Sequence, residues 1–393
     1  MNQDLLLNRR NLLTGSAATA AVTKMAKASQ ARSGGRPPNI LYIHSHDTGR
    51  YIQPYGFDVP TPNYQKLASE GVIFRQAFDA APTCSPSRSA LLTGHCPHNN
   101  GMMGLAHRGF VLNNFKEHIL YTLRPQGYRS ALFGVQHIAK NPKDIGYDEI
   151  GEIRGNKVEV VAPAAARFLK NAPQEPFFLD VGFFETHREF PAPGAKEDPR
   201  FAQPPVTVPD TKRTRQDMAA FKTGARILDE GVGQVLNALS AAGLADNTLV
   251  IATTDHGIAF PDMKCNLTHH GTGVFLIMRG PGGFAGGKVS DALVSHMDLY
   301  PTMCDLAGVP HPSWLQGRSL LPIIRGEKDE INEQVQAEVN YHAAYEPKRS
   351  VRTKQFNYVR RFGGRKLPVL PNCDDGLSKD EWLEAGWAKR PVA

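Results

Sequence analysis

The chain has 393 residues, 41% hydrophobic and 21% charged, with 36 Gly and 29 Pro. That excludes disorder throughout, because apolar and aromatic residues run its whole length, and five cysteines exclude a disulfide scaffold. The net charge of +7 is no nucleic-acid footprint: Arg9, Arg10, Lys24, Lys27 and Arg32 stand against Asp4 within residues 1 to 32, a surplus of 4 that leaves only 3 for the rest.

No apolar run reaches the length of a membrane span, so no membrane span is expected in the mature form. The first residues read as an address. Arg9-Arg10 precede a mild, Ala-rich stretch to Ala28, and Ala26-Lys27-Ala28 and Ser29-Gln30-Ala31 offer cleavage sites. This is similar to a twin-arginine signal over residues 1–32, which predicts export by that machinery to the periplasm or beyond. That pathway carries folded chains, so any chemistry installed on the unfolded chain precedes export.

After the linker 33–38, Asn39 to His44 reads as a buried strand that ends in Ser45-His46-Asp47. Thr61-Pro62 starts a helix that Gly71 stops, and 72–78 reads as a second strand. A helix over 115–126, strands near 129–134 and 176–184, and a long amphipathic helix over 215–242 follow. Thr248 to Thr254 is a strand running into Asp255-His256-Gly257, Val274 to Met278 another, and a hairpin falls at 350–361. Strands alternating with helices predict an α/β sandwich with a largely parallel sheet, whose ligands sit beyond the carboxyl ends of the strands. Three predicted strands end in His and Asp: 46–47, 187 and 255–256. Ionisable residues gathered at several strand ends point to one site.

The segment Cys84-Ser85-Pro86-Ser87-Arg88 through Leu92-Thr93-Gly94 carries the most chemistry. Ser85 is expected to cap a helix with Pro86 in its first turn and Gly94 at its end. Cys84 then sits at the positive end of the helix dipole, and Arg88, one turn on, points back as a bidentate partner for an oxyanion. The residues alone leave open a reactive, anion-facing cysteine and a buried structural one.

This segment resembles the signature of the formylglycine-dependent sulfatases, Cys-x-Pro-Ser-Arg followed by Leu-Thr-Gly. The likeness runs from about 37 to 325 and takes in Asn39-Ile40-Leu41 leading to His46-Asp47, Thr248 to Ile251 leading to Asp255-His256-Gly257, Ser295 to Thr302, and Gly317 to Pro322. It implies an alkaline phosphatase-like sandwich, with a catalytic domain over 37–330 and a partial C-terminal subdomain over 331–393. Stretches 100–105, 176–179 and 257–261 resemble the members that act on N-sulfoglucosamine. The resemblance implies conversion of Cys84 to formylglycine by a formylglycine-generating or anaerobic sulfatase-maturating enzyme. The hydrated aldehyde attacks sulfur, and its second hydroxyl later expels sulfate. Arg88 would hold the hydrate, His137 help break down the sulfated hemiacetal, His187 serve as general acid, and Lys264 grip the sulfate. A divalent metal would be held by His46, Asp47, Asp255 and His256, with residue 84 facing it.

Two departures stand out. The family's metal cage is all oxygen and suited to calcium, whereas His46 and His256 bring imidazoles that suit Mn, Fe or Zn. Val135 stands where the family usually has a sulfate-touching lysine, with Arg188 or Lys264 as replacements. Two other readings are a phosphodiester or phosphonate monoester hydrolase of the same fold and a non-catalytic sulfated-glycan binding protein. His44 reads as a core residue, while His269-His270 remain open between an exposed loop and a substrate contact. Cys96, Cys265, Cys304 and Cys373 lack zinc-site spacing and read as small buried or free residues. The family usually continues past the hairpin into a helix preceded by a Leu-Tyr-Asp-Leu-like segment; this chain reads as a short variant or a cut frame.

Overall fold

A computed structural model describes residues 36–171 and 173–390. The signal expected over 1–32 lies outside the described residues. Strand β1 (Asn39–Ser45) is buried along its whole length. Its alternation divides the interior: Ile40 and Tyr42 enter one core, Leu41 and Ile43 the other. A strand apolar on both faces must be covered on both, and at roughly 1.5–3 kcal/mol per buried large side chain each layer contributes substantially.

The other strands of the main sheet are β2 (Val72–Phe74), β4 (Arg129–Gly134), β5 (Glu149–Ile150), β6 (Phe177–Gly182), β7 (Thr248–Thr254), β8 (Leu276–Arg279) and β9 (Lys288–Ser290), in the order β5-β4-β6-β1-β7-β8-β2-β9. Only β8 pairs antiparallel with its neighbours. β3 (Ala77–Phe78) pairs with β10 (Val294–Ser295) in a small second sheet. The helices that matter for the site are α1 (Pro62–Glu70), α2 (Cys84–Thr93), α3 (Val158–Lys170), α4 (Lys212–Ala241), α5 (Leu299–Ala307) and α6 (Leu377–Glu384). Residues of α3 and α4 share a core with Leu41 and Ile43, whereas α5 packs with Ile40 and Tyr42.

The departures from expectation are local. The strand expected over 72–78 is broken at Arg75-Gln76, and the helix over 115–126 is reduced to Ile119–Leu123 between 3-10 turns, with Pro125 removing a donor at its end. Helix α3 has no counterpart in the sequence reading, because Pro163 within it signals a break. Helix α4 starts at Lys212, where Thr211 and Thr214 form a reciprocal cap. The hairpin is the outer part of an antiparallel sheet of β11 (Val335–Tyr341), β12 (Tyr345–Arg352) and β13 (Asn357–Arg361). Glu338 and Tyr341 donate backbone bonds to Ala80 and Met103, tying that sheet to the loops around α2.

Candidate active site

β1 and β7 run parallel in register, Ser45 beside Thr254, so their next residues must emerge side by side. His46-Asp47 and Asp255-His256 are therefore neighbours. The Asp47 amide donates to Asp255 Oδ1 at 2.8 Å and the Gly49 amide to the His256 carbonyl at 2.9 Å. This crossing demands glycine: a Cβ on Gly257 would meet the His270 carbonyl at 2.0 Å. Among the described residues, four non-glycines occupy the left-handed region: Asp47, His137, Asp262 and Cys265. All belong to the site or to the loop carrying Lys264, where such strain, on the order of 1–3 kcal/mol each, is held by the surrounding fold.

Cys84 opens α2, but the cap is Thr83 and not Ser85, whose hydroxyl accepts the Ala106 amide instead. Gly94 does end the helix, at φ 73. The Cys84 thiol is 2% exposed and lies 3.4 Å from His256 Nε2. Ligand atoms of His46, Asp47, Cys84 and Asp255 all fall within 4.8 Å of one another, and His256 Nε2 is 3.4 Å from Asp47 Oδ1 and 3.6 Å from Asp255 Oδ2.

This set fits a divalent cation. Both ring nitrogens of His46 and Asp47 Oδ1 are buried without a hydrogen-bond partner, although His46 Nδ1 approaches Asp255 Oδ2 to 3.2 Å off the hydrogen-bond direction. His256 Nδ1 lies 3.0 Å from the Gly257 carbonyl; a carbonyl only accepts, so Nδ1 carries the hydrogen and the Nε2 lone pair faces the carboxylates. Burial and the Arg88 charge hold His46 neutral, its pKa well below the usual histidine value. Burial opposes the charge on Asp255, yet its surroundings, the Arg88 guanidinium among them, outweigh it and keep its carboxyl ionised. A neutral His46 beside a fixed carboxylate offers ligands in the right protonation state.

The other predicted residues surround this centre. Lys264 Nζ sits 2.8 Å from Asp47 Oδ2 and 2.8 Å from Asp374 Oδ2; burial opposes its charge, but the two carboxylates hold it cationic. His137 follows β4, its ring centroid 5.8 Å from that of His46, and burial pushes its pKa down to about 3. His187 follows β6, with Nε2 4.0 Å from Asp47 Oδ2 and Nδ1 bonded to the Arg188 carbonyl. Its Nδ1 therefore carries a hydrogen, and Nε2 is the nitrogen on the Asp47 side.

Arg88 spends three of its five N–H groups behind the site. One terminal nitrogen donates to the Ser45 carbonyl and Asp255 Oδ2, both at 2.9 Å, and the other donates to His44 Nδ1. Only Nε lacks a partner. Nor does Arg188 replace the lysine missing at Val135: it is bidentate to Asp217 at 2.8 and 2.5 Å and stacks over Phe190.

His44 is the core residue expected from the sequence, whereas Tyr147, His107, Asp374 and His342 carried no sequence signal. His44 hands its Nε2 hydrogen to Asp180 at 2.8 Å, and Tyr147 donates to the same carboxylate, a buried chain behind Arg88. His107 stacks on His137 at 5.3 Å. Asp374 and His342 come from the C-terminal residues, and no motif marks them. His269 bonds Arg50 at 2.6 Å in a different cavity, of about 520 Å³. All five cysteines are free.

The sulfatase family model matches residues 38–309, and that of the N-sulphoglucosamine sulphohydrolase C-terminal region matches 264–365. The chain is 34% identical over 335 residues to human N-sulphoglucosamine sulphohydrolase, covering 74% of this chain and 67% of that one. It is 28% identical to an ulvan-active sulfatase of Formosa agariphila, over 89% of this chain and 70% of the other. Solved structures of the same fold include a 2-O GAG sulfatase, at TM-score 0.70 and 23% identity over 90% of both chains. Another, solved with its substrate D-glucosamine-2-N,6-O-disulfate, superposes at TM-score 0.73 and 18% identity over 90% of this chain and 96% of that one. The match over most of the described chain and the likeness to the human enzyme make this protein a member of the sulfatase family of hydrolases.

Proposed function

We propose that the protein is an exported sulfatase that removes sulfate from sulfated carbohydrate, with N-sulfoglucosamine at a chain end as its substrate. What carries this reading is the convergence on Cys84: a thiol in the sulfatase signature, at the start of a helix, with a metal-type donor set within 4.8 Å. The substrate rests on the likeness to the human N-sulphoglucosamine sulphohydrolase and the matching C-terminal region. Export rests on the Arg9-Arg10 pair and the Ala-rich stretch behind it, and puts the enzyme in the periplasm or outside the cell. The domain limits proposed are 37–330 for catalysis and 331–393 for the C-terminal part.

Converted to formylglycine, position 84 supplies a hydrated aldehyde as nucleophile. His46, Asp47, Asp255 and His256 would hold a divalent cation, which supplies Lewis-acid charge beside the sulfate. Two imidazoles in that set favour Mn, Fe or Zn over Ca. Lys264 offers a fixed positive charge to a bound sulfate, the charge that Val135 does not provide. His187 Nε2, 4.0 Å from Asp47 Oδ2, delivers a proton to the leaving nitrogen or oxygen. His137, kept neutral by burial, takes a proton from the hydroxyl at position 84. Arg88 acts from behind, fixing Asp255 and the end of β1.

The test is sulfate release by protein co-expressed with a maturation enzyme, its formylglycine at position 84 verified by peptide mass. Release from terminal glucosamine N-sulfate, at least about tenfold faster than from 6-O-sulfated glucosamine or an aryl phosphonate, is expected. Faster phosphonate turnover would make it a phosphonate ester hydrolase. No turnover with the aldehyde present would favour a glycan-binding protein.

A further inference from the structure

Three donor groups form a second constellation: one ligand atom each from His46, Cys84 and His137 lies within 4.8 Å of the other two. It exists only while position 84 is a thiol. Tetrahedral zinc spaces its donors by about 3.5 Å, so small side-chain rotations close the set around a cation.

Competition for each donor decides which atoms such a cation would choose. Three of the four carboxylate oxygens are already engaged: Asp255 Oδ2 takes Arg88, Asp255 Oδ1 takes two backbone amides, and Asp47 Oδ2 takes Lys264, which leaves only Asp47 Oδ1 without a partner. The imidazoles are not. Neither nitrogen of His46 has a hydrogen-bond partner, and His137 Nδ1 is buried without one. The stacked His107, 3.1 Å from His137 Nε2, holds that ring in orientation, the usual support for a ligating histidine. A thiolate with two imidazoles selects a borderline cation over calcium or magnesium. Entry is open from this side, since His137 is only half-buried and His107 is exposed.

We propose that the unconverted chain binds zinc through Cys84 Sγ, His46 and His137, a site that shares His46 with the metal set of the mature enzyme but takes His137 in place of its carboxylates. As the zinc–sulfur bond forms, the thiol proton leaves to solvent, and water completes the fourth position. A chain that escapes conversion is thereby sequestered in a zinc form, with its thiol masked and the space for sulfate filled. The inference concerns the thiol form and stands whether or not the converted chain turns over.

The experiment is titration with cobalt(II), then zinc(II), of the whole chain expressed without a maturation enzyme, its Cys84 thiol verified by peptide mass. One cobalt per chain is expected, with a near-ultraviolet thiolate-to-cobalt charge-transfer band that zinc displaces. Cys84→Ser should abolish the band, and His137→Ala should weaken zinc by at least about tenfold. Both variants are to be compared with the parent in metal-free thermal melting, which separates ligand loss from unfolding. Absence of the band in the parent, or unchanged zinc affinity in a folded His137→Ala chain, overturns the proposal.

Discussion

The buried Lys264 and the half-buried Asp374 form an ion pair at 2.8 Å that joins the loop after β7 to the segment preceding α6. Asp47 lies equally close on the other side of the same ammonium. Lys264 thus has one carboxylate in the metal set and one outside it, and Asp374 keeps the cation in place whatever Asp47 holds. Asp374→Asn should lower stability by about 2–3 kcal/mol, read from the urea midpoint, because a buried charge loses one of two partners. Sulfate release should fall by at least about tenfold, with KM rising as the sulfate-facing cation loosens. Unchanged kinetics would make Asp374 purely structural.

Arg188 is a packing residue here. Arg188→Lys loses the bidentate contact to Asp217 and the stacking on Phe190, at a cost of about 3 kcal/mol. KM for the sulfated sugar should shift by less than about threefold. A large KM change at unchanged stability would instead show that Arg188 reaches the sulfate.

Metal preference follows the donor atoms. His46→Asp combined with His256→Asn restores an all-oxygen set, and calcium should gain on manganese and zinc by at least about tenfold. Thermal melting after chelation and re-addition of each cation measures this. An unchanged order of preference would mean that the two imidazoles do not ligate.

Stability should fall on mild acidification. Burial lowers His118 to about 4 and His296 to about 3, so each contributes stability that is full above the ordinary histidine value of 6.5 and is lost as pH falls toward the folded value. Asp298 works the other way: burial raises it to about 6, so its contribution is full below 3.8 and lost as pH rises through about 6. Among these three groups, two histidines against one carboxyl leave about one proton, or about 1.4 kcal/mol per pH unit, between about pH 4 and 6, and His137, His269 and His342, each lowered to about 3, act in the same direction. His118→Asn keeps a cap for the Leu120 amide and should flatten that slope, read from urea midpoints across pH.

What the sequence determined was everything written in contiguous residues. β1 and β7 are apolar on both faces and end in His-Asp and Asp-His, and parallel pairing forces those ends together. The segment from Cys84 to Gly94 carries its own helix, its own stop and its own chemistry. Tertiary structure alone decided how each charge is used. Arg88 and Arg188 are the same residue type with the same reach; only the carbonyls and carboxylates that the fold sets around them consume one on the strand ends and the other on Asp217. Asp374 and His342 lie more than seventy residues from Lys264 in sequence, and neither spacing nor periodicity encodes a contact made by packing a small antiparallel sheet and α6 over the ends of parallel strands. Short-range stereochemistry is local and so can be read along the chain, whereas the pairing of buried charges depends on distances that exist only once the chain has closed on itself.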